Sequence, residues 1–469
     1  MWSTQTGSLD FATLRRGYRA GTLTPLEVVE AAYGRIAARG DDAVWTGVVP
    51  REQALAAARR LMAAASPATH PLFGLPMAVK DSFDIAGMTT SEGCRAYAHV
   101  AQRTHPMVAR LLDAGAILIG KNNMDQFGVG LVGVRTDYGV PRCVFDAAYI
   151  SGGSTSGGGV VVGAGLVSFA VGGDAAGSGR VPAALNNIVG LKPTPGLISL
   201  GGESKAGMSA THTVLTLTVA DAVAATQVMI GYDPDDPQSR PEADATRLRI
   251  APPPARFRFG VPSVATRIFH GDAQAERLFD AAITRLEQMG GTCVALDYRP
   301  FHAVAKMLYE DAFIARRYAN LRDFFDRNEA SLHPATRTIV GWGRGYSGAD
   351  VFAAQHLLAR LKRQVLGQFD DIDVLVTPTT PTTFTVADVQ ADNIALNAVM
   401  GSYTNFVNLL DMCAIAVPSG FRADGLPQGI SFVAPAMQEA VILAFAAAWH
   451  RALGLPMGAT GNAIPPDDV

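Results

Sequence analysis

The sequence predicts an α/β protein with a layered sheet, and three observations carry that expectation. Short apolar runs of strand type alternate along the chain with longer runs of helical period. The chain has 469 residues, 48% of them hydrophobic and 17% charged, enough for one large domain or two to three average ones. Inside it there is neither an internal repeat nor a low-complexity linker that would suggest a solenoid or a string of modules.

The elements follow in chain order. In "TPLEVVEAAYGRIAAR", Thr24 stands as N-cap, Pro25 at the first helical position and Glu27 three residues after the cap. That is a capping box, with Leu26, Val29 and Tyr33 along one face of the helix it starts. "PMAVKD" (76–81) reads as a buried strand, "HPMVARLLDAG" (105–115) as a helix and "AILIGKNNM" (116–124) as a strand entering a loop. "VVVGAGLVSFAVGG" (160–173) is too short and glycine-rich for a membrane span, so it reads as a buried helix and strand. The polar, proline-rich "GYDPDDPQSRPEADA" (231–245) is expected as an exposed loop between two halves of one domain. "RFGVPS" (258–263), the helix "AQAERLFDAAITRLEQMG" (273–290), "TCVALDY" (292–298) and the strand of "IDVLVTPTTP" (372–381) continue the alternation. Residues 1–455 are expected as one domain, and 456–469 as a flexible tail or the start of a linker.

Composition excludes several functions. A formal net charge of −3 gives no electrostatic basis for binding nucleic acid or an anionic membrane surface. No apolar run reaches the roughly 18 residues of a membrane span, and the N-terminus lacks a secretory pattern. The four cysteines (Cys94, Cys143, Cys293, Cys413) are scattered, which fits reduced thiols and a cytoplasmic setting. The nine histidines form no H-E-x-x-H or H-x-H cluster, so no metal site is expected, and His302 and His356 read as structural.

The chemistry concentrates in two glycine-serine segments, "SGGSTSGGGVVVGAG" (151–165) and "GGDAAGSGR" (172–180). Upstream, Lys80 ends an apolar strand, where burial disfavours the ammonium form and makes a basic amine available. Serine needs such a base to act as a nucleophile, and Ser154 is placed to relay a proton between Lys80 and Ser178. The glycines around Ser178 leave room for a carbonyl, and their backbone N–H groups can face its oxyanion. From the residues alone, turns for these segments and a solvated cap for Lys80 stay open as alternatives. "GVGLVG" (128–133) matches G-x-G-x-x-G but lacks the helix and acidic residue of a nucleotide fingerprint.

At these residues the chain resembles the amidase signature enzymes, and their allophanate hydrolase branch most of all. The resemblance rests on "FGLPMAVKD" with Lys80, on Ser154 and Ser178 spaced 24 residues apart, and on "GSGRVPAALNNIVGLKPT" (177–194). "AILIGKNNMDQF" and "YTNFVNLLDMCAIAVPSGFRADGLPQGISFVAPA" (403–436) extend it over nearly the whole chain. It implies an α/β amidase signature fold, a central mixed β-sheet covered on both faces by helices. By the same resemblance Lys80, Ser154 and Ser178 are the catalytic triad, with Ser154 on a cis peptide after Gly153. The backbone N–H groups of Ala175, Ala176, Gly177 and Ser178 are the implied oxyanion hole, while Asp174 and Arg180 brace the loop. The resemblance implies no metal or organic cofactor, and it suggests a homodimer acting on a small amide or urea derivative.

The branch binds a carboxylated urea with a tyrosine and an arginine eight residues apart on one helix. Tyr309 and Arg317 in "LYEDAFIARRYANL" have that spacing, and a guanidinium suits a carboxylate. Three departures bear on the substrate. The usual G-T-D-T before the nucleophile is "GGDA" here; "GGESKAGMSATHTVLTLT" (201–218) replaces a C-R-S-L-D run; and Asp311 stands two residues after Tyr309. An unpaired carboxylate there would favour a cationic substrate over an anionic one. The expected function is therefore hydrolysis of a urea-type C–N bond with release of ammonia, with allophanate as substrate. Guanylurea, biuret and carboxybiuret are the alternatives within this chemistry, and a non-catalytic amidase-fold subunit is the alternative outside it.

Overall fold

The computed structural model describes residues 2–201 and 211–466. Residues 202–210, half of the altered 201–218 loop, lie outside the described residues. Thirteen strands occur among those described: β1 (Trp45–Val48), β2 (Pro76–Lys80), β3 (Thr89–Thr90), β4 (His99–Val100), β5 (Ile117–Asn122), β6 (Phe169–Gly173), β7 (Val189–Lys192), β8 (His212–Thr216), β9 (Phe257–Pro262), β10 (Gly291–Leu296), β11 (Val374–Pro378), β12 (Met412–Phe421) and β13 (Pro427–Pro435). Eleven of them form one sheet in the order β1-β5-β2-β6-β8-β7-β12-β13-β11-β9-β10, and β3 and β4 pair separately. β2 runs parallel to β5 and β6, as does β9 to β10 and β11, while the middle of the sheet is antiparallel. The sheet is mixed, as the family resemblance implies.

The strands are apolar on both sides because both faces are covered. Along β2, Met77 and Val79 enter one core while Ala78 enters the other, and Phe169, Val171 and Ala170 divide the same way along β6. Helices Phe11–Arg19, Pro106–Asp113, Val219–Met229, Ala273–Gln288 and Glu439–Leu453 pack on the first face. Helices Pro25–Arg39, Arg51–Ala64 and Ser156–Gly163 pack on the second. The capping box is formed, with Glu27 N donating to Thr24 Oγ1 at 3.3 Å and Thr24 N to Glu27 Oε2 at 2.8 Å. A third cluster joins Tyr309, Ile314, Leu321 and Phe325 to Phe127, Val129 and Leu131, and so seats the helices of residues 299–345 over one end of the sheet. No helix among the described residues is long and apolar enough to cross a membrane.

One expectation holds and one needs amendment. The 231–245 segment is a largely exposed loop, as expected, and it is fastened at two points. Asp236 accepts from Leu200 N at 2.7 Å, and Arg240 bridges to Asp411 at 2.5 Å. Residues 456–466, expected to be loose, have no helix or strand yet lie against the core. The Met457 side chain is fully buried, Gly458 N donates to Asn187 O at 2.9 Å and Ala459 N to Gly163 O at 2.8 Å. One apolar side chain with paired backbone groups around it suffices to fix such a segment. Met457→Ala should therefore cost about 2–5 kcal/mol of unfolding free energy in a denaturant titration. Unchanged stability would mean that the segment is not part of the fold.

Candidate active site

Lys80 is the last residue of β2, a central strand flanked by parallel neighbours, so the strand delivers its side chain to the carboxyl end of the sheet. Ser154 and Ser178 arrive at the same end from loops that precede helices Ser156–Gly163 and Arg180–Leu185. The Gly153–Ser154 peptide is cis. Lys80 Nζ lies 2.7 Å from Ser154 Oγ, and Ser154 Oγ lies 2.8 Å from Ser178 Oγ. All three side chains are 2% exposed or less. The structure thus brings together the three residues the spacing singled out, in a continuous hydrogen-bonded row.

The turn that carries Ser178 is built around Asp174. Its carboxylate takes Arg180 Nε at 3.0 Å and Nη2 at 2.9 Å, Gly177 N at 2.9 Å and Gly179 N at 3.3 Å, with both charged side chains fully buried. Burial alone would raise the Asp174 carboxyl, but the Arg180 guanidinium holds it below the usual carboxylate range. Arg180 therefore braces the turn through Asp174. Lys192 lies behind the pair, its ammonium pushed down to about 8 by burial against the opposing pull of Asp174.

One expected oxyanion donor is corrected. The amide of Gly177 is already bonded to Asp174, whereas those of Ala175, Ala176 and Ser178 meet no acceptor among the described residues. Gly177 itself has φ +128, and a side chain there would collide with Thr404. The narrow cavity in front of Ser178 is lined by Lys80, Ser154, Glu92, Gly128, Gly173 and Ala175. Gly173 and Ala175 hold the positions where the family's threonines stand, so the departure in "GGDA" falls on the cavity wall.

Tyr309 and Arg317 meet, though on two helices rather than one. Helix Arg299–Glu310 ends at Asp311, which is extended (φ −137, ψ 179), and Ala315–Asn328 begins after a short 3-10 turn. Asp311 Oδ1 accepts from Ala312 N at 2.6 Å, so its carboxylate caps that turn. Arg317 is 3% exposed; Nη2 lies 3.5 Å from Tyr309 Oη and Nη1 3.5 Å from Gly128 O. No carboxylate pairs with it among the described residues.

Sequence reasoning missed four buried residues behind the site. Asp125 takes Gly133 N at 3.0 Å and Arg135 N at 2.9 Å, wrapping the "GVGLVG" loop around its carboxylate beside Ser154. Asp125 N also donates to Ser154 O at 3.1 Å, so this G-x-G-x-x-G loop is tied to the serine loop. Glu92 lines the cavity in left-handed backbone (φ 51), announced in the sequence only by Gly93 after it. Asp81 and Lys121 pair at 2.8 Å under the end of β2, and burial pushes the Lys121 ammonium down against the pull of Asp81. Of the two histidines read as structural, His302 bonds Thr266 O at 3.1 Å and His356 is exposed. All four cysteines are free thiols.

The family model described as Amidase matches residues 27–443. The urea amidolyase of Lachancea kluyveri is 38% identical over 89% of this chain and 23% of its own length. The chain therefore spans about a quarter of the curated urea amidolyases it matches. The structure of Kluyveromyces lactis allophanate hydrolase aligns with a TM-score of 0.89 at 33% identity, over 99% of this chain and 76% of that one. One of the glutamyl-tRNA(Gln) amidotransferase polypeptides of Azoarcus sp. (strain BH72) is 30% identical over 94% of this chain and 96% of its own length.

The brace around Asp174 has a measurable consequence. Arg180→Met leaves a buried carboxylate unpaired and should lower stability by about 3–5 kcal/mol in chemical denaturation. A variant as stable as wild type would show that the pair does not hold the turn.

Proposed function

The chain belongs to the amidase family, and on that premise we propose that it hydrolyses a urea-type C–N bond of a small substrate, allophanate before others, with release of ammonia. The observation that carries the reading is the row Lys80 Nζ, Ser154 Oγ, Ser178 Oγ, with separations of 2.7 and 2.8 Å. Ser178 Oγ attacks the amide carbonyl as its proton passes to Ser154, whose own proton passes to the amine of Lys80. The carbonyl oxygen becomes an oxyanion facing the amides of Ala175, Ala176 and Ser178. When the C–N bond breaks, the relay returns the proton to the departing nitrogen and ammonia leaves. Water then attacks the acyl group on Ser178 through the same relay and restores the serine.

Support for a carboxylated substrate comes from Arg317. A guanidinium that is 3% exposed and meets no carboxylate among the described residues is costly to keep unpaired, and a bound carboxylate relieves that cost. Asp311, whose Oδ1 caps the turn after helix Arg299–Glu310, keeps guanylurea in the comparison as the cationic alternative. Gly173 and Ala175, in place of hydroxyl-bearing residues, leave the cavity wall less polar and keep biuret and carboxybiuret in the comparison. Retention of all three relay residues favours a catalytic protein over a non-catalytic scaffold. A homodimer, on family resemblance, working in the cytoplasm, on the scattered cysteines, completes the proposal.

Ammonia release should be measured on allophanate, biuret, guanylurea and aliphatic amides with wild type and Ser178→Ala. Wild type should act on allophanate and the variant should be inert; equal inertness of both on every compound would defeat the proposal. Lys80→Ala should abolish turnover while leaving the melting curve in place, and retained activity would remove Lys80 from the relay. Arg317→Ala should raise KM for allophanate about 10- to 100-fold, in keeping with a charge-assisted bond of about 1.5–3 kcal/mol. An unchanged KM would mean that Arg317 does not hold the carboxylate.

A further inference from the structure

Asn408 lies in the "YTNFVNLLD" segment, more than 230 residues along the chain from the nucleophile turn, yet its side chain reaches that turn from behind. Its Nδ2 donates to the backbone carbonyl of Asp174 at 2.7 Å and to that of Ala175 at 2.8 Å. The 174–175 and 175–176 peptide bonds are trans. In a trans peptide the N–H points opposite to the C=O. Holding those two carbonyls therefore turns the N–H groups of Ala175 and Ala176 away from Asn408. These are two of the three amides that meet no acceptor among the described residues. Ala175 also lines the cavity in front of Ser178.

The side chain gains little else from its position. Asn408 Oδ1 is buried and has no hydrogen-bond partner, a feature that costs stability. The orientation of the amide is fixed by chemistry, because two carbonyl oxygens can only accept and an oxygen turned toward them would be repelled. Asn408 sits on helix Phe406–Leu409, which follows Thr404, the residue that presses on Gly177. The segment therefore shapes the turn at two points.

We propose that Asn408 is the positioning residue of the oxyanion hole: by gripping the carbonyls of residues 174 and 175 from behind, it aims the amides of Ala175 and Ala176 at the developing oxyanion. The assignment rests on the acyl-transfer reading above. Asn408 touches neither substrate nor Ser178, so its effect falls on the transition state and not on substrate binding.

The test compares wild type, Asn408→Ala and the isosteric Asn408→Asp, which sets a carboxylate against both carbonyls. Allophanate turnover, thermal melting and inhibition by methylboronic acid, which forms an anionic tetrahedral adduct on a serine hydroxyl, are measured on each. Losing one oxyanion donor lowers kcat by about 100- to 1000-fold, and two donors left in place but loosely aimed should cost about 10- to 100-fold. Both folded variants should show that fall in kcat, with KM within twofold of wild type and boronate affinity weakened in proportion to kcat/KM. Asn408→Asp should be the more damaged of the two. Folded variants with wild-type kcat, or a change confined to KM, would overturn the assignment. So would a kcat loss with boronate affinity unchanged, and so would failure of both variants to accumulate as folded protein, which would make Asn408 a folding residue. Inertness of the wild type on allophanate defeats the acyl-transfer reading itself and is thereby told apart.

Discussion

A single carboxylate shut away from water shapes the nucleophile turn. Asp174 is fully buried, and its charge is tolerable there because Arg180 meets it with two hydrogen bonds and two backbone amides fill its remaining lone pairs. The geometry of those bonds folds residues 174–180 around the carboxylate. Ser178 is then held on the side facing Ser154, at 2.8 Å. The same arrangement consumes the Gly177 amide, while those of Ala175, Ala176 and Ser178 meet no acceptor among the described residues. The buried ion pair thus fixes the turn that carries Ser178, Asn408 holds its 174 and 175 carbonyls from behind, and β2 delivers Lys80 to the same point.

Pairing distinguishes the cations of this site. Lys121 has Asp81 at 2.8 Å and Arg180 has Asp174 at 2.9 Å, and both pairs are sealed from solvent. Such pairs brace the loops that carry them. Arg317 is as deeply placed, but its contacts are a tyrosine hydroxyl and a backbone carbonyl, both at 3.5 Å. These contacts are long and neutral, and the centre of the Tyr309 ring lies 5.4 Å from the guanidinium carbon. The bracing pairs explain where the loops lie, and Arg317 is the cation on which the proposal of a carboxylated substrate rests.

Much of this is legible in the sequence where the signal is local or spaced within one segment. The capping box of Thr24 and Glu27, the buried strands ending at Lys80 and Gly173, and the 24-residue interval from Ser154 to Ser178 all belong to that kind. What escapes depends on backbone geometry or on partners distant in the chain. Asp311 reads as a carboxylate beside the substrate within one helical run, and only its extended backbone and its bond to Ala312 N reveal a break between two helices. Nothing local tells which amide Asp174 will take, so sequence reasoning groups Gly177 with the oxyanion donors. Met457 sits among turn formers that suggest a loose tail, yet it fills a core position formed by residues far upstream. The glycines of "GVGLVG" likewise acquire their meaning only around Asp125.

The proposed chemistry stands or falls on Lys80, through Ser154, making Ser178 the nucleophile. Labelling by a small fluorophosphonate, followed by peptide mapping, reads this out without depending on the natural substrate, because the reagent reports serine nucleophilicity alone. One adduct is expected, on Ser178, formed rapidly in wild type and at least about 100-fold more slowly in both Ser154→Ala and Lys80→Ala. Labelling at another residue, or an undiminished rate in either variant, would contradict the relay.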